Sequence, residues 1–130
     1  MNLAVDASAV IAILLNEPDG EVYMTKLLAA TALWISPINW WEVQVIMRTH
    51  HGTVGETKSS AWMERMGIVV VPITSAEAQI AATASGRYRG RPARLNMGDC
   101  FAYALAQSKG IPLLFKGNDF TQTDVRSALN

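Results

Sequence analysis

Leu3-Ala4-Val5-Asp6-Ala7-Ser8-Ala9-Val10-Ile11-Ala12-Ile13-Leu14-Leu15 opens with three apolar residues, meets a carboxylate, and continues as a dense apolar segment that Asn16, Pro18 and Gly20 close. A short apolar run, a polar residue and a longer apolar run before turn formers read as a strand, its carboxyl end and a buried helix.

The same alternation continues outward. Residues 20–32 mix Val22, Leu27, Leu28 and Ala29 with Glu21 and Lys26, as a more exposed helix does, and Leu33 to Ile35 is a candidate second strand. After Ser36-Pro37, Asn39 to His50 carries Trp40, Val43, Ile46 and Met47 at helical spacing, and Gly52 is expected to stop that helix. A shorter helix over Glu56 to Met66 follows, then the β-branched strand Ile68 to Val71 ended by Pro72. Ser75 to Ser85 is alanine-rich and helical, and the segment holding Gly86, Gly90 and Pro92 reads as a loop. Met97 to Lys109 is a helix stopped by Gly110, Leu113 to Phe115 a fourth strand, and a fifth is expected near Val125. Strands separated by helices predict a parallel sheet with right-handed crossovers, hence an α/β fold in three layers, helices on both faces of about five strands. No repeat, linker or low-complexity tract divides the 130 residues, so one domain over 1–130 is expected.

With 50% hydrophobic and 17% charged residues, the composition excludes a disordered chain. Eleven basic residues balance eleven acidic ones, so any nucleic-acid site must be local. Arg87, Arg89, Arg91 and Arg94 supply such a local excess, with Tyr88 among them. One cysteine, no 18-residue apolar run and no export signal at the start predict a cytoplasmic protein that does not cross a membrane.

In a parallel sheet, ligands bind beyond the carboxyl ends of the strands. Asp6 stands at one such end, although the same residue could simply cap the helix that follows. Asn39 with Glu42, and Asn96 with Asp99, each have the spacing of a capping box. A parallel sheet would also direct those two helix starts toward the cleft of Asp6. Carboxylates gathered that closely cannot all ionise cheaply without a divalent cation, and oxygen donors without thiolate or paired histidine favour Mg²⁺ or Mn²⁺ over zinc. Asp119, in Lys116-Gly117-Asn118-Asp119-Phe120 beyond the fourth strand, is the fourth candidate, with Asp124 as its substitute and an ordinary Asx turn as the plainer reading. Trp34, Trp40, Trp41 and Trp62 read as core or interface anchors, and His50 and His51 as structural residues at a helix end.

Val5-Asp6-Ala7-Ser8-Ala9, Trp41-Glu42, Leu95-Asn96-Met97-Gly98-Asp99-Cys100-Phe101-Ala102-Tyr103-Ala104-Leu105-Ala106 and Pro112-Leu113-Leu114-Phe115-Lys116-Gly117-Asn118-Asp119-Phe120 together resemble the PIN-domain toxins known as VapC. The resemblance extends to about Asp124. It implies a five-stranded parallel sheet, a metal-dependent endoribonuclease, a homodimer and a small VapB-like antitoxin that blocks the active site, with transfer RNA as the family's expected substrate. Carried over by position, it makes Asp6, Glu42 and Asp99 the acidic set, with Ser8 supporting the metal. The last acidic position departs from the family, where aspartate often stands at the positions of Gly117 or Asn118 here. From these readings Asp6 and Asp99 are the expected metal ligands, Glu42 and Asp119 complete the catalytic set, and Arg87, Arg89, Arg91 and Arg94 meet RNA or antitoxin.

Two other readings compete. A phosphotransfer domain of the haloacid-dehalogenase type would carry aspartate where Ser8 stands, and a receiver would need a phosphoacceptor where Val71-Pro72 stands. A PIN-like fold acting only as a protein-interaction module is the second, against which the retained acidic set argues.

Overall fold

Strand β1 (Asn2–Val5) forms over the opening apolar run, and Asp6 leaves it in extended conformation to cap α1 (Ala7–Leu14). The computed structural model describes residues 1–129. The chain continues through α2 (Gly20–Ala29), β2 (Ala32–Ile35), α3 (Pro37–Met66), β3 (Ile68–Val70), α4 (Ser75–Tyr88), α5 (Met97–Lys109) and β4 (Leu113–Leu114), with a 3-10 turn at Asp119–Gln122.

The strands lie in the order β3-β2-β1-β4, all parallel, so β1 is an inner strand with Leu3 opposite Leu33 and Val5 opposite Leu114. Successive side chains of a strand point to opposite faces. Leu3, Val5, Leu33, Ile35 and Leu114 accordingly join α1, α2 and α3 in one core, while Ala4 and Leu113 join α4 and α5 in the other. The expected three-layer sandwich is therefore the observed fold. Among the described residues, no helix is long and apolar enough to cross a membrane.

Two details differ from the expectation. The sheet has four strands, and the segment near Val125 contributes only a single bridge, Ser127 to Leu113. Strand β4 is two residues long, so a partner on its outer edge has almost nothing to pair with: Leu113 gives its amide to the Arg126 carbonyl at 2.8 Å and accepts from the Ala128 amide at 2.9 Å. Gly52 stops the first helix as expected: α3 consists of two helices that meet at a break at Gly52, whose φ of 65° and ψ of −155° only glycine adopts readily. By contrast, α4 does not stop at Ser85. It runs on to Tyr88, carrying Arg87 in its last turn, because the Tyr88 ring packs edge-on against Tyr103 at 5.7 Å with Arg87 over its other side. A single glycine at position 86 costs a helix only about 1 kcal/mol, too little to break it against that packing.

Candidate active site

Asp6 sits at the carboxyl end of β1 and is 4% exposed. Its backbone amide donates to the Leu114 carbonyl at 2.9 Å, fixing it between β1 and β4. Its Oδ2 accepts from the Ser8 amide at 3.0 Å and from Ser8 Oγ at 2.5 Å, so Asp6 caps α1. Ser8 Oγ in turn accepts from the Lys116 amide at 2.9 Å, which ties the start of α1 to the turn beyond β4.

Asp99 also caps. The Asn96 side chain accepts from the Asp99 amide at 2.8 Å and Asp99 Oδ2 accepts from the Asn96 amide at 3.0 Å, completing the expected capping box of α5. The corresponding expectation for Asn39 and Glu42 is overturned. The cap of α3 is Ser36, with Pro37 at the first helical position, and Asn39 lies inside the first turn. Asn39 is fully buried and its amide nitrogen donates to Glu42 Oε1 at 2.8 Å and to the Gly98 carbonyl at 3.0 Å. Glu42 thus reaches across to the start of α5. Gly98 makes room for it: a Cβ on Gly98 would overlap the Glu42 carboxylate.

These carboxylates act on one another. Burial raises the Asp6 carboxyl to about 6 against the two Ser8 hydrogen bonds that lower it, and the charge of Glu42 raises it further. Burial likewise raises Asp99 to about 6, opposed by the Asn96 amide and reinforced by the charges of Asp6 and Asp119. Glu42 is raised by burial and by Asp99, with the Asn39 hydrogen bond acting the other way. Asp6, Glu42, Asp99 and Asp119 therefore occupy one electrostatic neighbourhood. Asp119 is its exposed member, the first residue of the 3-10 turn.

Asp124 lies elsewhere. It accepts from Tyr103 Oη at 2.6 Å, Tyr88 Oη at 3.3 Å and Gln107 at 3.3 Å, and the Tyr103 bond holds its carboxyl below the usual range. Arg89, Arg91 and Arg94 are exposed on the segment leading into Asn96, and none forms an ion pair among the described residues. Of the tryptophans, Trp40 and Trp62 pack on one core and Trp34 on the other, whereas Trp41, beside Glu42, is 58% exposed and anchors no core.

The donor set suits a hard divalent cation. It consists of carboxylate oxygens that repel one another, and the one neighbouring soft donor, the Cys100 thiol, is pushed up by burial and by Asp99 and so stays protonated. No group of three or more His, Cys, Asp or Glu side chains placed to hold a metal ion together occurs among the described residues. Mg²⁺ does not need one, since it commonly takes one or two carboxylates and keeps several waters.

A family model described as the PIN domain matches residues 3–126. The chain is 38% identical over 131 residues to Ribonuclease VapC28 of Mycobacterium tuberculosis, covering 98% of each. In fold it is similar to VapC20 of M. tuberculosis, a toxin that cleaves the sarcin-ricin loop, with a TM-score of 0.79, 15% identity and 95% of each chain covered. It is also similar to a chain of a toxin–antitoxin complex from Klebsiella pneumoniae, with a TM-score of 0.75, 18% identity, and 94% and 92% of the two chains covered.

Proposed function

This chain belongs to the PIN-domain family, among its VapC ribonucleases, and from that premise we propose that it is the endoribonuclease toxin of a toxin–antitoxin pair, dependent on Mg²⁺ or Mn²⁺. The observation that carries this reading is a pair of buried aspartates raised to about 6, Asp6 capping α1 and Asp99 in the capping box of α5, near enough that the charge of Asp6 helps to raise Asp99.

Asp6 and Asp99 would hold the ion, with Ser8 fixing the Asp6 carboxylate. The ion supplies Lewis-acid chemistry, neutralising charge at the phosphate and making water a better nucleophile near neutral pH. Glu42 and Asp119 orient that water toward phosphorus. The water's oxygen would bond to phosphorus as the bond from phosphorus to one ribose oxygen breaks, a proton given up by the water passing to that leaving oxygen. Arg89, Arg91 and Arg94, exposed beside the α5 start, draw phosphates toward a cleft that is itself negative. The regulating partner is a small VapB-like antitoxin, in keeping with the complex found for a relative of the same fold, and the working unit is a homodimer.

The test is cleavage of total RNA by the purified protein, with ends sequenced, in MgCl₂ and in EDTA. New ends that need the divalent ion and vanish in Asp99→Asn are expected; the same ends from that variant, or none from the wild type, would overturn the reading. In the same assay, replacing Arg89 and Arg91 with alanine should weaken RNA affinity and flatten its dependence on log salt by roughly one unit for each phosphate no longer neutralised. An unchanged slope removes the arginines from the RNA path, and a monomer mass in sedimentation equilibrium removes the dimer.

A further inference from the structure

We propose that Asn39 is a positioning residue that sets where the Glu42 carboxylate stands relative to Asp99; this rests on the reading of Glu42 as part of the cleavage site.

Asn39 does not cap α3, since Ser36 does that. What its side chain does instead is join two elements. One amide nitrogen donates both to Glu42 Oε1 at 2.8 Å and to the Gly98 carbonyl at 3.0 Å, a residue 59 positions away and adjacent to Asp99. Both partners can only accept, so the amide cannot flip: the reverse orientation would face its oxygen to a carboxylate and a carbonyl. The nitrogen is therefore committed, and Oδ1 is left buried with no hydrogen-bond partner. An unpartnered acceptor in a fully buried side chain is unfavourable, and a residue kept only to pack α3 against α5 would be better apolar. Gly98 leaves room for the same carboxylate, because a Cβ there would occupy the space Glu42 uses. Glu42 is thus gripped by Asn39 and accommodated by Gly98, and its position is coupled to the first turn of α5, where Asp99 lies.

Asn39→Leu keeps the branching and the number of side-chain heavy atoms and removes both hydrogen bonds. On a labelled oligonucleotide spanning a site the wild type cuts, its kcat should fall about 10–100-fold, the loss a misplacement of roughly 1 Å produces, with KM within about twofold. Because Asn39 acts through Glu42, the same substitution made in Glu42→Gln should cost no further rate. A wild-type kcat in Asn39→Leu, or losses that multiply in the double variant, would overturn the proposal. Should Asn39→Leu fail to give a cooperative melt, Gly98→Ala decides, since it leaves Asn39 intact and displaces the carboxylate: the same kcat loss, absent in the Glu42→Gln background, is expected, and multiplying losses overturn the proposal. Glu42→Gln cutting at the wild-type rate would remove Glu42 from the site and overturn the ribonuclease assignment of that residue together with the proposal.

Discussion

Asp6→Asn and Asp99→Asn proteins are each expected to cleave RNA about a thousandfold more slowly than the wild type, or worse, a loss of about 4 kcal/mol of transition-state stabilisation. Each replacement removes a negative oxygen from the cleft and with it the charge that would hold a divalent ion against the phosphate. Neither should unfold the chain. Asparagine ranks with aspartate at the cap of α1, and at either position its side-chain oxygen can still accept, from the Ser8 amide at position 6 and from the Asn96 amide at position 99. Initial rates on a mapped site, measured beside thermal melts, separate the two effects. A variant that melts normally and cuts within tenfold of the wild type would take that aspartate out of the mechanism.

The second large effect is on stability, and its direction runs against the usual one for carboxylates. Asp6 has a folded pKa of about 6 against an ordinary value of 3.8, chiefly because burial disfavours its charge. Between those values the folded chain holds a proton that the unfolded chain has released, so stability falls as pH rises from about 4 to about 6 and levels off above. For Asp6 alone the loss at neutral pH is about 3 kcal/mol. Asp99 is raised for the same reason and acts in the same direction. Asp19 and Asp124 have lowered values and act oppositely, but their stabilisation is lost only as pH falls below the ordinary carboxylate range, outside this window. Urea denaturation of the metal-free protein from pH 4 to 8 should therefore show stability declining toward neutrality. Asp6→Asn should flatten the profile and be the more stable protein at pH 7.5, and MgCl₂ should raise the melting temperature of the wild type but not of this variant. A wild-type profile that rises steadily from pH 4 to 7 would mean that Asp6 carries no such penalty.

The layers of the fold are legible in the sequence because each depends on local pattern: apolar runs ending at Asp6, Pro72 and Gly110 mark strands and helices without reference to the rest of the chain. The capping box of Asn96 and Asp99 is legible for the same reason. The identical spacing at Asn39 and Glu42 misleads. The informative residues there are Ser36 and Pro37, a capping residue followed by proline at the first helical position, a pair that reads equally well as a break between elements. Whether Asp119 or Asp124 faces the cleft has no local signature, because Asp124 is withdrawn by Tyr103, 21 residues earlier in the chain. The reduction of the expected fifth strand to a single bridge and the extension of α4 escape the sequence on tertiary grounds, the length of β4 in one case and the Tyr88–Tyr103 packing in the other.

The position of β1 inside the sheet, with β2 on one side and β4 on the other, also orders events on the ribosome. Asp6 is made long before the Leu114 carbonyl that accepts its amide, the Lys116 amide that engages Ser8, and Asp119. A nascent chain carries Asp6 long before it has the partners that fix it, so the neighbourhood of Asp6 is complete only once the segment beyond β4 has been made.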